Sequence, residues 1–217
     1  MRGLDHHRVA AFVVGLLMCA LSTSIFAQGL ASRYVEGEHY QAIEAPVATP
    51  DDGRIHVVEF FLYSCPHCYH LEPEVEAWRE ELGDDVAFSR VPVLFGGGGQ
   101  KYARLYYAAQ SLGVLDKVHA DIFRAIHEQG RRLLSQSDMR AFMAEHGVDG
   151  DRFDEAFDSD AVREKVVAAG EMMRAFNVTA TPSLGVAGQY WISGRSAGSN
   201  EAMFDVADYL IRRQRDE

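Results

Sequence analysis

The sequence predicts an α/β protein whose single sheet is assembled from both ends of the chain, with a block of helices inserted between them. Three observations predict it. Residues 55–63 and 86–94 read as strands on either side of a helical stretch at 69–82, a strand–helix–strand unit. Residues 100–176 are almost entirely helical in period. Strand pattern returns only at 183–187 and 189–193, and neither end holds enough strands for a sheet of its own.

The N-terminus precedes the fold. Arg2 and Arg8 lead into an uncharged apolar run at 9–21, and Ser22 to Ala27 supply small residues. A positive start, a short apolar core and a small residue at the cleavage point read as a secretory signal over residues 1–27, cleaved after Ala27. The competing reading is an uncleaved anchor, but the run is shorter than the ~20 residues a membrane-spanning helix needs. Cys19 follows Met18, which argues against lipid attachment there. Cleavage leaves 19 basic and 31 acidic side chains, so the formal charge moves from −11 to −12. That acidity excludes the basic footprint of a nucleic-acid-binding protein. Cleavage also removes Cys19 and leaves Cys65 and Cys68 as the only cysteines.

Residues 28–45 are mixed and polar, and Tyr34, Tyr40 and Ile43 suggest an edge strand. A turn follows from Pro46 to Gly53. Val57, Val58, Phe60, Phe61 and Leu62 form a near-continuous apolar run, the mark of a strand buried on both faces. Pro66 suits the first turn of a helix, where its missing N–H is not needed. Leu71, Val75, Trp78 and Leu82 continue at helical spacing, and Gly83 marks the stop. The four glycines 96–99 lack a following Lys-Ser/Thr, so they read as a hinge and not as a phosphate loop. Helices are expected at 100–112, 115–129, 136–146 and 159–176, with Ser135 and Asp138 opening the third. Gly113 and Gly147 are stops, Gly188 closes a hairpin, and 199–213 is a final amphipathic helix. Trp78, Tyr106, Tyr107 and Phe123 read as core, and Trp191 as core or groove lining.

The chemistry centres on Ser64-Cys65-Pro66-His67-Cys68, at the junction of strand and helix. A helix N-terminus has unpaired N–H groups and the positive end of the helix dipole. Both favour a thiolate at Cys65, and a protonated His67 adds to them, so the Cys65 pKa is expected to be depressed. Cys68 lies one turn in and is expected to be less exposed. The asymmetry makes Cys65 the nucleophile and Cys68 the resolving thiol. A stabilised thiolate stabilises the reduced protein, so the disulfide form acts as an oxidant. Closing so short a loop gives little stabilisation, which also argues for a chemical pair. The alternative is zinc, but four ligands are needed and there is no second cysteine pair. His70, His119, His127 and His146 show no ligand spacing and read as surface helix histidines. Neither a metal nor a cofactor is expected.

Glu59-Phe60-Phe61 running into Cys65-Pro66-His67-Cys68-Tyr69, with Thr181-Pro182 far downstream, resembles the DsbA family of thiol:disulfide oxidoreductases. The likeness extends to Tyr40, to Leu112-Gly113-Val114 followed by Asp116-Lys117-Val118, and to the long helix before Val178. The resemblance implies a thioredoxin fold with an inserted α-helical domain. Here that divides into a thioredoxin-like domain at 28–98 and 177–217 and a helical insertion at 99–176. It implies donation of the Cys65–Cys68 disulfide to newly exported proteins with free thiols, in the periplasm. Re-oxidation then falls to a membrane quinone reductase of the DsbB type. A monomer is expected. Disulfide isomerases or reductases of the same fold, and a non-enzymatic metal carrier or chaperone, remain as alternatives.

The same resemblance assigns further residues. It makes the Thr181–Pro182 bond cis and sets Pro182 against the cysteines, where it blocks metal capture and leaves the Thr181 backbone free for an extended substrate. Glu59, a charged residue inside a buried strand, lies by family match beneath the disulfide and moves protons, with Arg90 as its partner. A buried carboxylate has a raised pKa unless paired. Glu72 also matches an acidic residue of the family, but it reads as a surface helix charge. Thr181 departs from the valine of the best-known members, which bears on oxidising strength.

Overall fold

A computed structural model of the chain describes residues 33–216. The expected signal at 1–27, with Cys19, lies outside the described residues. The compact unit starts at Glu36. Among the described residues no helix is long and apolar enough to cross a membrane.

Five strands form one sheet: β1 Gln41–Ala42, β2 Ile55–Phe61, β3 Val86–Pro92, β4 Ser183–Val186 and β5 Tyr190–Ser193, in the order β1-β5-β4-β2-β3. The sheet joins both ends of the chain, as the sequence predicts. β2 is an interior strand, parallel to β3 and antiparallel to β4. That position explains its composition, because Val57, Val58, Phe60 and Phe61 are buried on two faces. Phe60 packs against Phe176 on one face, and Phe61 against Tyr63 and Tyr106 on the other. β4 and β5 form the expected hairpin. Ala187 and Gly188 both take positive φ, and the Gln189 N–H closes the turn on the Val186 carbonyl at 3.0 Å.

The helices are α1 Pro66–Glu81, α2 Gly99–Ser111, α3 Leu115–His127, α4 Gln136–Glu145, α5 Gly150–Asp158, α6 Asp160–Ala175, α7 Gly194–Ala197 and α8 Ala202–Arg215. Pro66 opens α1, with Cys65 as its N-cap. Trp78 ties α1 to α8 by stacking on Phe204 and donating to Asp208 at 2.9 Å. The Ser135 hydroxyl accepts from the Asp138 N–H, as expected of a cap. Gly113 and Gly147 carry the positive φ of helix stops.

Some expectations are corrected. α5 lies outside the expected helices: Asp149 caps its start, and Ser159 both ends it and caps α6. α7 is likewise new. Strand β2 stops at Phe61 and not at residue 63. Trp78, Tyr106, Tyr107 and Phe123 are core residues, as read. Trp191 is buried and also lines a cleft with residues 41–44 and 174–177.

Candidate active site

The site forms where β2 gives way to α1. After Phe61 the chain leaves the sheet, and the Cys65 N–H turns back onto the Leu62 carbonyl at 2.9 Å. Cys65 itself is extended (φ −84°, ψ 117°), so its side chain stands at the mouth of α1. Its thiol is half-buried, whereas Cys68 is 1% exposed. Both are free thiols.

The two thiols are driven in opposite directions. The Cys68 thiol bonded to it, the Thr181 side chain, and the N–H groups of Cys68 and His67 lower the Cys65 pKa to about 5, against the opposing effect of partial burial. Burial, then the neighbouring Cys65, pushes Cys68 well above the usual thiol range. His67 acts on Cys65 through its backbone N–H. Its ring is exposed, and the charge assistance expected from it is not among the largest influences.

The loop before β4 completes the mouth of the site. The bond between Thr181 and Pro182 is cis. The neutral Cys65 thiol donates to the Thr181 carbonyl at 3.5 Å. Pro66, His67, Thr181 and Pro182 are therefore gathered around Cys65 by two segments far apart in sequence.

A second, buried cluster lies on the Glu59 face of the sheet. Glu59 sits opposite Arg90 in the β2–β3 register and accepts from its Nε at 2.7 Å. The same guanidinium donates to Glu72 at 3.1 Å and Glu76 at 2.7 Å. Burial, with Glu72 beside it, raises the Glu59 pKa despite the Arg90 charge. Arg90 pairs it, yet desolvation wins for a side chain 2% exposed. Glu59 also acts electrostatically on Cys68. Glu72 corrects another expectation: it is buried, not a surface charge, and burial raises its pKa to about 7. A cavity of about 340 Å³ opens beside the cluster, lined by Glu72, Glu76, Arg79, Arg90 and His119 with other residues.

Histidines corrected the sequence reading as well. His119 is buried, and burial followed by the Arg90 charge lowers its pKa to about 3, so the ring is neutral. Its Nδ1 bonds the Tyr63 hydroxyl at 2.7 Å. His127 Nε2 donates to the Tyr63 carbonyl at 2.8 Å, and its ring stacks on Tyr69 at 4.8 Å and 9°. The spacing of His119, Phe123 and His127, four apart on one helix, was the available signal. Among the described residues no three His, Cys, Asp or Glu side chains converge as a metal-binding group.

This arrangement suits reversible thiol–disulfide exchange at one accessible sulfur. A family model described as the DSBA-like thioredoxin domain matches residues 78–209. The thiol:disulfide interchange protein DsbA of Azotobacter vinelandii is 38% identical over 208 residues, covering 95% of this chain and 96% of its own length. Its counterpart in Pseudomonas syringae pv. tomato is 40% identical over 179 residues, covering 82% and 84%. The crystal structure of Pseudomonas aeruginosa DsbA superposes with a TM-score of 0.82 at 37% identity, over 86% of this chain and 97% of that one.

Proposed function

Because the chain belongs to the DsbA-like thioredoxin family and is a thiol:disulfide oxidoreductase of the dithiol oxidase kind, we propose that it donates the Cys65–Cys68 disulfide through Cys65. A substrate thiolate attacks the Cys65 sulfur. The Cys65–Cys68 bond breaks, a mixed disulfide forms on Cys65, and Cys68 leaves as a thiolate that takes up a proton. A second substrate thiolate attacks the substrate sulfur of the mixed disulfide and expels the Cys65 thiolate. The substrate loses two electrons and gains a disulfide; the chain gains a dithiol.

One observation carries this reading: the accessible thiol is acidic and the buried one is not. Cys65 is the sulfur that substrate reaches and the better leaving group, and its stable thiolate favours the reduced chain. Cys68 needs a proton as it leaves, and the raised pKa of Glu59 suits that carboxyl to supply one. Pro182 and Thr181 shape the mouth, where the Thr181 backbone would pair with an extended substrate. Pro66 and His67 set the first turn of α1.

The same reading takes residues 28–98 and 177–217 as the thioredoxin-like domain and 99–176 as the helical insertion. Residues 1–27 are a cleaved signal and the working compartment is the periplasm. The substrates are exported proteins with free thiols, the re-oxidant is a membrane quinone reductase of the DsbB type, and the chain works as a monomer. Equilibrating the purified protein with reduced and oxidised glutathione tests the assignment. A strongly oxidising pair, abolished by Cys65→Ala, is expected. A thioredoxin-like reducing pair would move the protein to the reductases.

A further inference from the structure

The redox pentapeptide is bracketed by two tyrosines, and α3 holds both. Tyr63 precedes Ser64 and is fully buried. Its hydroxyl meets His119 Nδ1 at 2.7 Å, and its carbonyl accepts from His127 Nε2 at 2.8 Å. Phe123, between the two histidines on the same helix face, packs edge-on against the Tyr63 ring at 5.0 Å. On the other side, Tyr69 follows Cys68 and stacks on His127, and its hydroxyl donates to Glu128 at the end of α3.

We propose that His127 and His119 are positioning residues for disulfide exchange, holding Tyr63 at its carbonyl and its hydroxyl and so fixing Cys65 over the first turn of α1. The physical reason lies in what stabilises the reactive sulfur. The N–H groups of His67 and Cys68 act on Cys65 only at hydrogen-bond range. Those groups ride on α1, whereas the Cys65 backbone arrives from the strand side through Tyr63 and Ser64. α1 bonds the Cys65 carbonyl through the Tyr69 N–H at 3.1 Å, and the Cys65 N–H closes on Leu62 at 2.9 Å, but these bonds reach neither the Tyr63 carbonyl nor its ring. The two bonds to Tyr63 hold that upstream part, from a helix that contributes no atom to the reacting sulfurs. Each histidine has a distinct part. His127 orients the Tyr63–Ser64 peptide by its carbonyl. His119, neutral and enclosed by Phe61, Tyr63, Tyr106 and Phe123, pins the ring end.

The inference rests on Cys65 being the reactive thiol, and one experiment separates the two. The Cys65 thiolate is titrated by its absorbance near 240 nm in the reduced protein and in His127→Phe, His127→Gln and Tyr63→Phe. The glutathione equilibrium and the melting temperature of each are measured alongside. His127→Phe keeps a ring for Tyr69 but loses the bond to the carbonyl. It should raise the Cys65 midpoint by about one pH unit and weaken the oxidising equilibrium about tenfold. His127→Gln keeps a side-chain donor and should largely restore both. Tyr63→Phe, one oxygen smaller, should shift both in the same direction as His127→Phe; if His127→Phe does not fold, this variant carries the test. A lower melting temperature with an unmoved Cys65 midpoint would overturn the positioning role. So would equal shifts in the phenylalanine and glutamine variants at 127. A wild-type midpoint in the ordinary thiol range would instead overturn the reading of Cys65, and the clamp with it.

Discussion

Arg90 lies across the β2–β3 pair from Glu59, in register and 2.7 Å away, with the two side chains 8% and 2% exposed. Glu72 and Glu76 close on the same guanidinium. One permanently charged cation thus serves three carboxyls. It offsets one negative charge, which leaves the most buried carboxyls inclined to hold a proton.

Removing the cation should be severe. Arg90→Met is expected to destabilise the protein by about 3–5 kcal/mol, because two buried carboxyls lose their partner. Urea unfolding at pH 7 measures it. A loss below ~1 kcal/mol would mean that Arg90 is not what holds the three carboxyls together.

Glu72 should make stability fall with pH. Its folded pKa of about 7 lies above the ordinary carboxyl value of 4.5, so the folded state binds the extra proton between those limits. Burial therefore destabilises the protein progressively as pH rises from about 4.5 to 7, and fully above that. Glu72→Gln, which stays neutral, should gain on the order of 2 kcal/mol over the wild type at pH 8 and almost nothing at pH 4.5. Thermal unfolding across that range gives the answer, and a gain at pH 4.5 equal to that at pH 8 would refute it.

Thr181→Val removes a side chain that helps hold the Cys65 pKa down while keeping its shape. The Cys65 titration should move upward from about 5, and the disulfide should become a weaker oxidant. Alkylation rates of the reduced protein between pH 4 and 8 report the shift. An unchanged profile would leave the Cys68 thiol and the N–H groups of α1 as the cause.

Cys68→Ala should convert a transient adduct into a lasting one. The lone Cys65 thiolate attacks a disulfide in a substrate, expels one substrate thiolate and keeps the other sulfur, and no Cys68 thiol is left to displace it. Non-reducing gels of cells producing the variant should show mixed disulfides that thiol reductants release. Their absence in Cys65→Ala is the control, and equal adducts in that control would sink the assignment of roles.

Gly185→Ala tests the packing behind β2. A Cβ there would sit 2.5 Å from the Phe176 ring and 2.7 Å from Val58. The expected loss is about 1–3 kcal/mol, with little change in the Cys65 titration.

The sheet was legible because β2 and the hairpin carry strong local patterns: an unbroken apolar run in one case, a glycine turn in the other. The position and acidity of Cys65 were legible too, since a Cys-Pro-x-Cys stretch at a helix start sets them locally. Helix α5 was hidden because its nine residues hold only Phe153 and Phe157 as buried anchors, and Ser159 serves two helices at once. Glu72 and His119 were misread for a different reason. A glutamate or histidine on a helix looks solvated until the elements covering it are known. Glu72 is covered through Arg90 from β3, and His119 through Tyr63 from the end of β2. Neither partner is near in sequence, so helical period alone assigns both to the surface.

Strand β2 also bears on the order in which the molecule is made. β2 is bonded on one side to β3, its near neighbour in sequence, and on the other to β4. Cys65 and the Thr181 carbonyl that touches it are 116 residues apart. A chain emerging from its N-terminus therefore presents both cysteines long before the strand and loop that enclose them exist. Closure of so long a loop is slow compared with forming the helices in between. Until the last segment arrives, the two sulfurs belong to an unfinished polypeptide that lacks both the Thr181 carbonyl and the β4 pairing that enclose them.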